Sequence, residues 1–238
     1  MQEIVLLTCL VVSSVGFVIW YTQSSSLRLP VRYQIMYDSN PPYVHRIFRR
    51  RLLAMIIYFL VPWIVFKCYG YSFRDVMDNL GIQFSWSKQV TRWVLIGIVV
   101  TFILGYLNAK KDAGLESYPE MRVRFWTRYI FILSTTSWMG YIFTYELFYR
   151  GLLFYSFLYF FQNNLTLAIA ATTALYTLTH YWKLNRITTS SFVWGVLSCY
   201  MVYRLQSLWP AIIIHLANCL SIEWWGIIKH EEMHARRV

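Results

Sequence analysis

Long apolar runs, separated by short polar connections, constrain this chain more than any other feature. They fall at about Ile4–Tyr21, Leu52–Cys68, Trp93–Ala109, Tyr129–Thr144, Tyr145–Phe161, Leu165–Trp182, Ser190–Tyr203 and Leu208–Ile228. A bilayer-spanning helix needs roughly 17–25 apolar residues. In lipid only a helix or a closed barrel satisfies its own backbone. The pattern therefore predicts an all-α, polytopic transmembrane bundle of about eight helices. Composition agrees: 58% of residues are hydrophobic and 14% charged, against about 25% charged in a soluble domain. The runs leave no room for a separate soluble domain, so residues 1–238 read as one integral membrane domain.

The stretch from Tyr129 to Phe161 is long enough to be one tilted helix or two short ones. Glu146 and Arg150 lie in its middle, and buried charges favour a break or a cavity over lipid. Two helices are expected here. The first run lacks a positive n-region and is long for a signal peptide, so it reads as a retained helix.

A net charge of +11 would suggest nucleic acid in a soluble protein, but no nucleic-acid motif accompanies it. Arg and Lys in cytoplasmic loops and at anionic headgroups account for it instead, with membrane lipid as the partner. The two most basic connections, residues 22–51 and 110–128, are separated by two apolar runs. Placing both in the cytoplasm puts the N-terminus outside. Ser24–Ser26, Pro30 and Asn40–Pro42 argue against a continuous helix in the first connection. His45–Leu53 reads as a basic, amphipathic entry at the membrane surface, and Phe73–Trp86 as a short interfacial helix and a turn, with Leu80-Gly81 in it. Cys9, Cys68, Cys199 and Cys219 form no CxxC pair and read as small packing residues.

Polar residues inside apolar runs are few, and three clusters stand out. Glu146 and Arg150, four apart, share a helix face and can pair. Tyr176 and His180 share another. His215 and Asn218, three apart in the last run, offer buried hydrogen-bond donors of the kind an oxyanion needs. Each cluster alone also fits a structural ion pair or polar glue between helices. Together, a Glu, an Arg, two His and an Asn on separate helices supply a base, an orienting group and oxyanion donors.

These residues resemble the CPBP family of CAAX proteases and bacteriocin-processing enzymes, which includes the type II CAAX prenyl protease. The family carries Glu-Glu-x-x-x-Arg, Phe-x-x-x-His and His-x-x-x-Asn on successive helices. Glu146–Phe154, the spacing to His180, Gly195, and Ser207–His215 resemble it, over a core of about residues 130–225. Three positions depart from the family. Tyr145 stands where it has its first Glu, Tyr176 where it has Phe, and Cys219 where it has Asn, with Asn218 one residue earlier.

The resemblance implies hydrolysis of a peptide bond at or within the membrane. Glu146, His180, His215 and Asn218 would be the catalytic residues, supported by Arg150, Tyr145 and Tyr176. Pairing with Arg150 makes Glu146 a poor base, so His180 is the better one. No cofactor is expected. A zinc site of His180, His215 and Glu146 is the alternative, without the usual His-Glu-x-x-His spacing. The partners expected are a peptide or protein substrate and possible membrane-protein partners. Two other readings stay open. Tyr145 favours a catalytically impaired family member acting as a scaffold or partner-binding regulator. A small transporter would use the same buried charges, but the sequence lacks the symmetric halves expected of one.

Overall fold

The computed structural model describes residues 1–24, 41–110, 119–121, 123, 125–180, 185–229 and 234–235. Eight continuous helices run through them. α1 is Gln2–Ser24. α2 joins Pro41–Met55, a π-helical turn Ile56–Leu60 and Val61–Cys68. α3 is Phe73–Leu80 and α4 Lys88–Ala109. α5 joins Arg128–Glu146, a π-helical segment Leu147–Leu153 and Phe154–Phe160. α6, α7 and α8 are Leu165–Leu178, Asn185–Leu205 and Trp209–Lys229. Two short strands, Phe125–Trp126 and His234–Ala235, pair in parallel. The all-α bundle expected from the apolar runs is what the chain forms. Four stretches, Gln2–Ile19, Val44–Cys68, Lys88–Ala109 and Trp209–Lys229, are helical, long and apolar enough to cross a membrane.

Two details correct the sequence reading. The stretch from Tyr129 to Phe161 is one helix, α5, and does not break into two. Its charges are accommodated by the π-helical segment, whose residues Leu147–Leu153 are all buried. The eighth helix is instead the short α3. The second correction concerns the start of α2, which begins at Pro41, ahead of the apolar run. Val44, Ile47 and Arg51 form its buried face, a helical spacing that the arginine-rich composition obscured. The prolines at Pro41 and Pro42 start the helix, where a missing N–H costs nothing. Of the two basic connections that set the expected orientation, residues 25–40, 111–118, 122 and 124 lie outside the described residues.

The chain divides into two compact units. Unit 1 comprises residues 1–27, 54–91 and 143–212; unit 2 comprises 28–53, 92–142 and 213–238.

In unit 1, α3 is capped at both ends. Ser72 and Asp75 form a reciprocal capping box, and Gly81 takes the left-handed conformation (φ 72°) that ends the helix. The next segment straps the α7–α8 turn. Leu208 N–H donates to Gln83 O at 3.0 Å, and Trp209 Nε1 to Phe84 O at 3.0 Å. Asn164 caps α6 by accepting from Leu167 N–H at 3.2 Å. α6 and α7 pack closely because Gly195 has no side chain. A Cβ there would stand 2.8 Å from Thr173 Cγ2.

In unit 2, α4 and α8 use the same device. A Cβ on Gly97 would collide with Ile214, and one on Gly105 with Ser221. Two glycines eight apart on one face let the backbones approach, and Ser221 Oγ donates to Thr101 O at 3.0 Å. An apolar cluster of Val44, Ile47, Met121, Val123, Trp126, Ile130 and Ile227 forms one core.

Candidate functional site

Unit 1 brings together five of the seven residues singled out from sequence: Tyr145, Glu146, Arg150, Tyr176 and His180. His215 and Asn218 belong to unit 2.

Glu146 ends the first part of α5 and Arg150 lies in the π-helical segment. Neither is exposed to solvent, and Arg150 Nε sits 3.3 Å from Glu146 Oε2. Two residues of α7 complete this arrangement. Arg150 Nε donates to Ser198 Oγ at 2.7 Å, and Trp194 Nε1 donates to Glu146 Oε1 at 3.3 Å. The guanidinium lies over the Tyr176 ring, 3.9 Å from its centroid, a cation–π contact strengthened by desolvation. Pairing offsets much of the burial cost of both charges.

Tyr145 is buried among aromatic rings, 5.2 Å from Tyr58, 4.7 Å from Tyr149 and 5.5 Å from Tyr176 between centroids. The π-helical turn in α2 carries Tyr58. The Tyr145 hydroxyl lies 2.7 Å from Thr179 Oγ1. Thr179 Oγ1 in turn donates to Tyr176 O at 2.7 Å. With the threonine proton committed there, the Tyr145 O–H is the donor to Thr179.

His180 follows the last turn of α6 and is half-buried. Its Nδ1 lies 3.1 Å from Tyr176 O and 3.1 Å from Thr179 Oγ1. A carbonyl only accepts, so this network assigns the proton to Nδ1 and leaves the Nε2 lone pair unprotonated. The backbone of α6 thus orients the imidazole. Thr179, Trp194 and Ser198 were missed from sequence. Thr179 adjoins His180, and Ser198 stands three residues after Gly195, which marks the close face of α7.

In unit 2, His215 and Asn218 are both half-buried on α8. Cys219, at the position where the family has Asn, packs with Trp138 and Ile142 in an apolar cluster. Asn218 is therefore the amide left for polar work on this turn.

Unit 2 also holds a second buried charge cluster that the sequence reading missed. Arg51 is 3% exposed. Its Nη2 lies 3.1 Å from Glu120 and 3.3 Å from Glu223. Nη1 donates to Ser134 O at 3.0 Å and to Ser137 Oγ at 2.9 Å. Trp138 Nε1 donates to Glu223 Oε2 at 2.7 Å, and Ser134 Oγ also donates to Glu223. The Trp138 ring stacks 3.9 Å beneath the guanidinium. A carboxylate inside the last apolar run was signal enough to flag Glu223. Among the described residues, no group of three or more His, Cys, Asp or Glu is placed to hold a metal ion.

No curated protein matches the chain. No solved structure matches it either. Residues 127–220 do match a family model, that of the type II CAAX prenyl endopeptidase Rce1-like proteins. The match spans Tyr145, Glu146 and Arg150, then Tyr176 and His180, then His215 and Asn218. The resemblance carried by these motifs is borne out: residues 127–220 are similar to the Rce1-like type II CAAX prenyl endopeptidases of the CPBP family.

Proposed function

We propose that this chain is a multi-pass membrane peptidase that hydrolyses a peptide bond at or within the membrane, with His180 as its general base. The orientation of His180 carries the reading. Its Nδ1 is engaged by Tyr176 O and Thr179, which sets the tautomer in which Nε2 is the basic nitrogen, and imidazole is the side chain best suited to general-base work. The hydroxide so formed attacks the scissile carbonyl. On this reading His215 and Asn218 donate to the resulting oxyanion. The proton held on His180 then passes to the leaving amine. Glu146 stays paired with Arg150 and fixes the local geometry. Tyr145 does not abstract a proton, because a phenol titrates near pH ~10; it donates to Thr179. No metal or cofactor enters this scheme.

A second reading rests on Tyr145 itself. A tyrosine stands here where the family has the first Glu of its motif, and its hydroxyl is bonded to Thr179. That favours a catalytically impaired member acting as a scaffold or partner-binding regulator. The deciding experiment measures cleavage of a reporter peptide by purified wild type, His180→Ala and Tyr145→Glu in detergent. An active wild type silenced by His180→Ala supports the peptidase. An inactive wild type that Tyr145→Glu awakens places the lesion at this position. A wild type and a folded Tyr145→Glu variant that are both inactive favour the scaffold.

A further inference from the structure

The end of α6 leaves a backbone acceptor for side chains to fill. The helix closes at Leu178, and the His180 N–H donates to Thr177 O at 2.9 Å, three residues back. Tyr176 O, four residues back, is passed over by that N–H, as carbonyls at a helix end commonly are. Two side chains take it instead. Thr179 Oγ1 donates to it at 2.7 Å, and His180 Nδ1 lies 3.1 Å from it. The His180 carbonyl in turn accepts from Thr188 Oγ1 of α7 at 2.9 Å. These bonds pin the backbone of His180, and the direction of its ring is set by side-chain contacts.

Thr179 Oγ1 is where those contacts meet. A threonine hydroxyl has one proton and two acceptor sites. The proton goes to Tyr176 O, one acceptor site takes the Tyr145 O–H at 2.7 Å, and the other is left for His180 Nδ1, 3.1 Å away. The Nδ1 proton is therefore shared between Tyr176 O and Thr179 Oγ1. Tyr145 comes from α5 and has little freedom to move. It is 2% exposed and packs against the rings of Tyr58, Tyr149 and Tyr176. A phenol buried in this way keeps its hydroxyl on a partner, so Tyr145 fixes the hydroxyl of Thr179.

The direction of the bonds decides the role. Tyr145 donates to Thr179, and Thr179 donates to Tyr176 O, so both hydroxyl protons run away from the imidazole. Thr179 can accept from Nδ1–H but has no proton to deliver to it. An acceptor of this kind holds one tautomer and relays nothing. Turning the ring over would set a C–H against Tyr176 O and Thr179 Oγ1 and forfeit both bonds.

We propose that Tyr145 and Thr179 are positioning residues for His180. The tyrosine locks the threonine hydroxyl, and the threonine, with Tyr176 O, holds Nδ1–H so that Nε2 is the basic nitrogen. Tyr145 then serves the base without touching the reacting atoms. The catalytic meaning of this arrangement rests on the peptidase reading, while the arrangement itself is read from the histidine ring with no substrate present.

The test is ¹⁵N NMR of the histidine-labelled protein in micelles, at an alkaline pH where the imidazole is neutral. The His180 signals are those missing from His180→Gln. The Nδ1–H form should predominate in the wild type, and predominance of Nε2–H would overturn the proposal. Thr179→Val keeps the side-chain shape and removes Oγ1, so the ratio of Nδ1–H to Nε2–H should fall severalfold. Thr179→Ser should restore it, and Tyr145→Phe should lower it by less. A ratio unchanged in Thr179→Val and in Tyr145→Phe would overturn the proposal, because Tyr176 O alone would then hold the ring. If Thr179→Val does not fold, Tyr145→Phe decides. In an active enzyme, kcat of Thr179→Val should fall roughly 10-fold with KM unchanged, short of the about 10²–10⁴-fold that a general base contributes. Altered ratios beside a wild type that cleaves no reporter would uphold the positioning and sink the peptidase reading.

Discussion

Replacing Glu223 with leucine removes the acceptor on which three donors converge: Trp138 Nε1 at 2.7 Å, Arg51 Nη2 at 3.3 Å and the Ser134 hydroxyl. Arg51 would stay buried with its charge. Breaking a buried pair from one side costs about 3–5 kcal/mol. Arg51 keeps Glu120, which is 20% exposed, so the lower figure applies, about 3 kcal/mol. Arg51→Met strands Glu223 in the same way and should cost a similar amount. The double variant removes both charges and replaces them with apolar volume, so it should lie within about 1 kcal/mol of wild type. The cycle therefore predicts non-additivity of about 5 kcal/mol. Equilibrium unfolding in mixed micelles, titrated with a denaturing detergent and followed by circular dichroism, measures all four proteins. Additive single and double variants would refute the reasoning, because they would mean that the two groups do not exchange their stabilisation.

Three further outcomes are expected. Gly195→Ala should destabilise by about 1–3 kcal/mol, since its Cβ meets Thr173 Cγ2 at 2.8 Å; thermal unfolding checks this. If the peptidase reading holds, His215→Ala should lower cleavage about 10²-fold or more with the protein still folded in the membrane, and full activity would make that histidine structural. Treatment with a strong chelator should leave cleavage intact, and loss with rescue by zinc would overturn the metal-free scheme.

What the sequence made legible follows the range of each interaction. The apolar runs announced their helices because lipid imposes that pattern residue by residue. The Glu146–Arg150 pair was legible because both partners lie on one turn of one helix. The Arg51 cluster was not, since Arg51 and Glu223 are 172 positions apart and neither predicts the other locally. Arg51 also hid in a run of arginines that read as a basic connection, although only its spacing from Val44 and Ile47 set it apart. The expected break in α5 failed for a different reason. Two charges within an apolar run signal either a helix end or an internal partner, and composition does not distinguish them. Tyr145 was legible as a substitution, but its bond to Thr179 depends on the packing of α5 against α6.

The π-helical segment of α5 has a consequence for how such a chain can change length. A π turn is an α-helix carrying surplus residues, so Leu147–Leu153 holds slack that an ordinary helix lacks. A single deletion between Glu146 and Arg150 would leave them three apart, still neighbours on an α-helix. The same deletion in the regular part of α5 would turn every later side chain by about 100°. Among homologous chains, gain or loss of one residue should therefore be concentrated in this segment, with the charge pair surviving the indel.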